Sequence, residues 1–195
     1  MTSFLTKVNN MIKENHGKAK AANVAKTWFN KGRSIGIKHA PTRFKPGKIY
    51  IFRYEDPKTP NLPWWDRNPI VLSLGWEKKN DIGINLNLLP HKPRMAILDK
   101  VYSVYEQEIK RAMNVKKGRD RTLREKPLNL NYDKIKPYLE RYGFKFAVRQ
   151  YIPNLKSNQA LVSYDKWTYV AMLDLVDIAG ADINEVYDEF YNYTK

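Results

Sequence analysis

Residues 46–90, PGKIYIFRYEDPKTPNLPWWDRNPIVLSLGWEKKNDIGINLNLLP, constrain the fold more than any other part of the chain. They open on a Pro46-Gly47 turn and then alternate, with Ile49 and Ile51 on one side and Tyr50, Phe52 and Tyr54 on the other. Large residues on both sides predict a strand with neither face simply solvated. A loop containing Pro57, Pro60, Pro63 and Pro69 carries Trp64-Trp65-Asp66-Arg67, and two further apolar runs follow at 70–74 and 82–88. Strands of this length joined by turns predict a small antiparallel sheet or partly open barrel.

Charge around this stretch is uneven. Residues 1–48 hold 11 Lys and Arg against a single acid, Glu14, whereas residues 49–90 balance at five against five. Residues 91–130 hold 11 against five, and residues 131–195 hold eight against nine. The net charge of +15 therefore sits in two basic blocks flanking a neutral sheet. Segregated positive charge favours polyanionic partners, nucleic acid first, although an acidic protein would be held by the same charge. The chain has no cysteine, which removes disulfide frameworks and thiolate metal sites. Its apolar runs fall well short of the ~20 residues that span a bilayer, and its first ten residues lack the apolar core of a secretory signal. A soluble product with no membrane partner is expected.

Taken in order, residues 3–29 repeat apolar side chains at helical spacing through Phe4, Leu5, Val8, Met11 and Ile12, break near Gly17, and resume through Ala19, Ala21, Ala22, Val24, Ala25, Trp28 and Phe29. Two readings stand open for this segment: a basic arm lying on DNA or a neighbouring subunit, or an amphipathic helix packed on its own domain; a membrane-surface helix is a third, disfavoured by a thin apolar face. Residues 32–45 read as a linker. A helix is predicted over 93–113, a polar loop over 115–127, and a helix over 130–142 stopped by Gly143. Strands are predicted over 144–152 and 161–164, then a helix from Asp165 and a closing amphipathic helix over 183–193. The predicted class is α+β: a small antiparallel β-barrel-like (SH3-like) sheet with flanking helices and a basic N-terminal arm. The organisation reads as arm and linker at 1–45, barrel core at 46–90, and a helical, short-stranded part at 91–195 packing on that core as a single domain.

Binding residues follow from the charge blocks. Lys18, Lys20, Lys26, Lys31, Arg33, Lys38, Arg43 and Lys45 suit a segment tracking a phosphate backbone, and Lys116, Lys117, Arg119, Arg121 and Arg124 suit a second such contact. Trp64 and Trp65 are candidate anchors for a protein partner, as are Tyr187 and Phe190 on the closing helix. Adjacent indoles in an extended loop point opposite ways, so the tryptophan pair cannot form one stacking platform. Arg141 and Arg149 have ion pairs with Glu140 or Asp165 as their default role. Catalytic signals are sparse: His16, His39 and His91 are scattered, and there is no glycine-rich phosphate loop or Gly-x-Ser-x-Gly turn. Asp66 with Glu77 and Lys79 has the outline of a Mg²⁺-dependent nuclease site, in which two carboxylates hold the ion and the lysine stabilises charge. Such triplets are frequent in a lysine-rich chain, and a carboxylate in a proline-rich loop more often caps backbone donors. No cofactor or resident metal is expected.

The central stretch also resembles a known pattern. Gly47-Lys48-Ile49-Tyr50-Ile51-Phe52-Arg53-Tyr54, Asp56-Pro57-Lys58-Thr59, Leu62-Pro63-Trp64-Trp65-Asp66 and Gly83-Ile84-Asn85-Leu86-Asn87-Leu88-Leu89-Pro90 are similar to segments of tailed-phage DNA end protectors and head-completion proteins. Two positions depart from that pattern: Asn87 replaces a histidine, and Asn68-Pro69 replaces Phe-Pro. The resemblance implies a non-enzymatic virion component, assembled in the host cytoplasm and present as a ring or in multiple copies. It would act at the packaged-genome end or the head–tail junction, with portal, connector or tail proteins and duplex DNA as partners. The alternatives are a baseplate or tail assembly protein whose arm docks on neighbouring subunits, and the nuclease above.

Overall fold

The computed structural model describes residues 3–34, 43–58, 64–115, 132–141, 143–173, 178–182 and 184–188. Lys38, Lys116, Lys117, Arg119, Arg121, Arg124 and Phe190 lie outside the described residues, and of Arg33 only the backbone is described. The α-helices are α1 (Phe4–Glu14), α2 (Lys18–Ser34), α3 (His91–Val115), α4 (Tyr132–Arg141) and α5 (Trp167–Met172). The strands are β1 (Ile49–Tyr54), β2 (Trp65–Asp66), β3 (Ile70–Glu77), β4 (Asn80–Asn85), β5 (Val148–Tyr151), β6 (Lys156–Val162) and β7 (Ile178–Ala179). Residues 184–188 are helical.

β1 forms where the alternation placed it, and both of its faces are buried. Ile49 and Ile51 join Ile70, Leu72 and Ile84 in the main core, under the helices. Tyr50, Phe52 and Tyr54 join Phe44, Val71 and Tyr151 in a second, aromatic core on the opposite face. Five antiparallel strands make one sheet in the order β5-β4-β3-β1-β6, and β2 pairs with β7 separately. β5 and β6 are the two outer strands, yet residues 152–155 alone separate them, folded as a 3-10 turn with Pro153 at its start. The sheet must therefore coil until its edges approach at this corner, where the Glu55 N–H donates to the Leu155 carbonyl at 3.0 Å. Coiling also brings Tyr151 of β5 against Phe52 of β1, with ring centroids 5.1 Å apart across the intervening strands.

The predicted barrel is corrected in one respect: the sheet coils but does not close. The corner crosses from β5 to β6 without a ladder between them, and β6 then runs along β1 instead. Two strand predictions were also too long. The 82–88 run stops at Asn85, whose side-chain oxygen accepts the Asn87 N–H at 3.0 Å and turns residues 86–88 into a 3-10 turn. The 144–152 run begins as a 3-10 turn at 145–147 and becomes strand only at Val148.

The helical break near Gly17 is where it was expected. Ser3 caps α1 by accepting the Thr6 N–H, and Gly17, at φ +129°, sits between α1 and α2. Of the two readings of residues 3–29, the structure shows the packed one. Phe4, Val8 and Met11 of α1 and Ala21, Ala25 and Phe29 of α2 are all buried in the main core. The two alanines leave no bulk on the inner face, which lets α2 approach α5 closely.

One glycine is fixed by packing. A Cβ on Gly83 would stand 2.2 Å from Val71 Cγ1 and 2.8 Å from the Leu72 carbonyl oxygen, a backbone atom that cannot swing away. Gly83→Ala is expected to destabilise the protein by about 1–3 kcal/mol through overpacking, read from urea unfolding midpoints.

Candidate functional site

The first element of the site is the outer face of the α1–α2 pair. Lys13, Lys18, Lys20, Lys26 and Lys31 are all exposed, and α2 contains no acidic residue. At 3.6 residues per turn, Lys20 and Lys31 project within about 20° of each other, on the side away from Ala21, Ala25 and Phe29. Arg43 and Lys45 are also exposed, just before β1. Lys7 behaves differently: its ammonium donates to the Tyr102 hydroxyl and lies 4.7 Å from that ring's centre, so it ties α1 to α3.

The second element is a cleft of about 310 Å³ beside the coiled sheet, lined by residues that include Tyr54, Trp64, Asp66, Asn85, Arg149 and Tyr151. Asp66 is 5% exposed and is the hub of its polar groups. Its Oδ2 accepts from Asn85 Nδ2 at 2.9 Å and Asn87 Nδ2 at 2.8 Å, and its Oδ1 accepts the Asn68 N–H at 3.0 Å. Asn87 Nδ2 also donates to the Asn68 carbonyl at 3.2 Å. The tryptophan-bearing loop is thereby sewn to the end of β4, and two motifs some twenty residues apart meet at one carboxylate. Asn87, which departs from the histidine of the resembled pattern, supplies a side-chain N–H as a histidine ring also can. The guanidinium of Arg149 lies 4.7 Å from the Trp64 ring centre.

Asp66→Ala would strand three donors in a buried place. The expected cost is about 3 kcal/mol, since each buried unsatisfied group costs on the order of 1–3 kcal/mol and partial relaxation recovers some of the sum. Urea unfolding monitored by circular dichroism checks it.

Burial pushes the Tyr151 hydroxyl well above its ordinary 10.0, and the neighbouring Asp66 carboxylate pushes it further, against the opposing charge of Arg149. Burial also raises Tyr50 and Tyr54, whose hydroxyls are less completely buried than that of Tyr151, and the backbone N–H each accepts, from Lys45 and Ile152 respectively, opposes the rise. A pKa raised in the folded state means that the unfolded chain releases its proton first. Stability from these groups is therefore fully present below pH ~10 and is lost as pH rises above it. Tyrosinate absorbance should lag in the native protein and appear together with unfolding. Simple titration near 10 by all tyrosines, with the fold intact, would contradict this.

Of the sequence-derived anchors, Trp64 is 2% exposed, whereas Trp65 and Tyr187 are half-buried. The most exposed indole is Trp76, at 54%, which was not singled out from the sequence. Its place at the end of an apolar run, directly before Glu77-Lys78-Lys79, is the local signal that it leaves the core. The proposed metal triad is not assembled. Glu77 pairs with Asn80 at the hairpin tip and accepts from Gln150, whereas Asp66 is bonded to Asn85 at the other end of β4. Five residues of strand between those two points amount to about 16 Å. Among the described residues no group of three or more His, Asp or Glu could hold a metal ion, and no helix is long and apolar enough to cross a membrane.

At the level of class, this is a mixed helix–sheet protein whose α1–α2 pair carries an exposed lysine face. The family model described as phage T4 terminal DNA protecting protein matches residues 1–181, and the chain belongs to that family. No curated protein and no solved structure matches it.

Proposed function

We propose that this chain binds the ends of a linear phage genome and protects them by steric cover, without cleaving DNA. The observation that carries this is the exposed lysine face of α1 and α2, rigidly seated on the core by Phe4, Val8, Met11 and Phe29, in a chain of the terminal DNA protecting family. A packed helix fixes the spacing of the backbone positions that carry its lysines, so their flexible side chains can reach phosphates along one backbone. Arg43 and Lys45 extend that surface towards the sheet, and the basic residues at 116–126 are assigned to a second phosphate contact.

The finer readings belong to this proposal as well. The strand order and the 3-10 corner between the outer strands support an SH3-like, partly open barrel as the organising unit. Portal, connector or tail-ring proteins are the partners assigned to the half-buried Trp65 and Tyr187, in a multi-copy arrangement at the head–tail junction.

An exonuclease challenge tests the function. Linear duplex preincubated with the intact protein should resist both 5′ and 3′ exonucleases at a stoichiometry set by ends, not by length. Protection that scales with duplex length would mean general coating. No protection, in protein that remains folded, would favour the reading as a tail or baseplate component docking on acidic subunits.

A further inference from the structure

Phosphate contacts do not by themselves distinguish an end from the middle of a duplex, because the backbone charge is the same at both. End recognition needs a group that reads what an end alone presents, the open face of the last base pair. The search for such a group leads to the tip of the β3–β4 hairpin.

Trp76 stands there 54% exposed, more than any other large hydrophobic residue among those described. The Arg43 guanidinium lies over its ring, 5.9 Å from the centroid. Lys78 and Lys79 form the turn that follows, and both are exposed, as is Lys45. The segment bearing Arg43 and Lys45 is held beside the hairpin: the Gly47 N–H donates to the Ser73 carbonyl at 2.8 Å, and Pro46 packs on Gly75. The acid in this group, Glu77, accepts from Gln150 Nε2 at 3.3 Å. A flat apolar ring thus stands beside the Arg43 guanidinium, on a hairpin tip and neighbouring segment that also carry Lys45, Lys78 and Lys79, while Glu77 is hydrogen-bonded and the cross-strand Asp81 is ion-paired with Lys156. That combination fits an occupant with a flat π face and anionic flanks, which is a nucleobase between phosphates. An acidic protein surface would satisfy the cations but would leave the planar face without a matching plane.

We infer that Trp76 stacks on the terminal base pair of duplex DNA, with Arg43, Lys45, Lys78 and Lys79 on the flanking phosphates. The assignment rests on the DNA-end reading above and supplies its specificity. Interior base pairs are already stacked on both sides and offer no face to the indole, so the interaction is confined to ends.

The test uses the full-length protein and blunt duplexes carrying 2-aminopurine at either the terminal or a central position, with closed-circular DNA as competitor. Wild type should alter the fluorescence of the terminal probe and leave the central one unchanged. Trp76→Ala should lose that response and lower affinity for linear duplex about tenfold, while affinity for circular DNA stays the same. Trp76→Phe, which keeps an aromatic face, should retain part of both effects and guards against a folding defect in the alanine variant. A Trp76→Ala protein that keeps the terminal response and the preference for linear DNA overturns the assignment and leaves the DNA-end reading standing. Wild type that binds circles and linear duplex equally overturns the reading and the assignment together.

Discussion

Asp81→Ala is expected to destabilise the protein by about 3–5 kcal/mol, because it leaves a buried ammonium without its counter-charge. Asp81 on β4 and Lys156 on β6 form an ion pair whose side chains are 1% and 2% exposed. Asp81 Oδ1 also accepts the Phe44 N–H at 3.1 Å, and the Lys156 ammonium lies 4.0 Å from the Phe44 ring centre. β3 and β1 stand between these two strands in the sheet, so the pair bridges the open interior of the coil. Its loss removes a tie across the aromatic core as well as a charge partner. Lys156→Met alone should cost a similar amount, since it leaves the buried Asp81 carboxylate with the Phe44 N–H but no counter-charge. The double variant Asp81→Ala/Lys156→Met should recover much of the stability lost by Asp81→Ala. Urea unfolding of the three variants measures this directly. A double variant as unstable as Asp81→Ala would show that the damage lies in the Phe44 contact and not in the stranded charge.

Replacing Lys18, Lys20, Lys26 and Lys31 together by glutamine should leave the fold intact and remove most DNA binding. All four are exposed, so their substitution costs little stability. Each phosphate contact contributes about 0.9 to the slope of log K against log salt on duplex DNA. Four lost contacts would reduce that slope by about 3–4 and the affinity by on the order of 10²–10³-fold near physiological salt. Fluorescence anisotropy of a labelled duplex across a salt series reads both quantities. An unchanged slope would take the α2 face off the DNA and leave Arg43, Lys45 and the basic residues beyond α3 to carry the contact.

How legible this protein is from its sequence varies with the kind of interaction. β1 could be read because its residues alternate into two cores, and the α1–α2 break because Gly17 supplies a backbone angle that few residues adopt. The polar residues 156–159 of β6 give no such signal: that strand is defined by its pairing with β1, a partner about a hundred residues away. Asn85 and Asn87 sit inside an apolar alternation that reads as strand throughout; Asn85 is its last strand residue, where the Asn85 side-chain oxygen turns the chain and both amides bind Asp66. Asp66 itself invites a catalytic reading from its spacing to Glu77, but three donors converge on it and give it a structural role. The Asp81–Lys156 pair spans 75 positions and has no local signature at all. The cationic residues could be counted but not placed, because charge pattern carries no information about which side of a helix is covered. Only the packing of Ala21, Ala25 and Phe29 shows which lysines of α2 face outward.

The central claim is end binding, and the most direct measurement is the affinity of the intact protein for blunt linear duplex, with closed-circular DNA of the same sequence as competitor, across a salt series. The account predicts a linear complex that circles displace poorly, with an affinity that falls as salt rises. Equal displacement by circles at every salt concentration would contradict it.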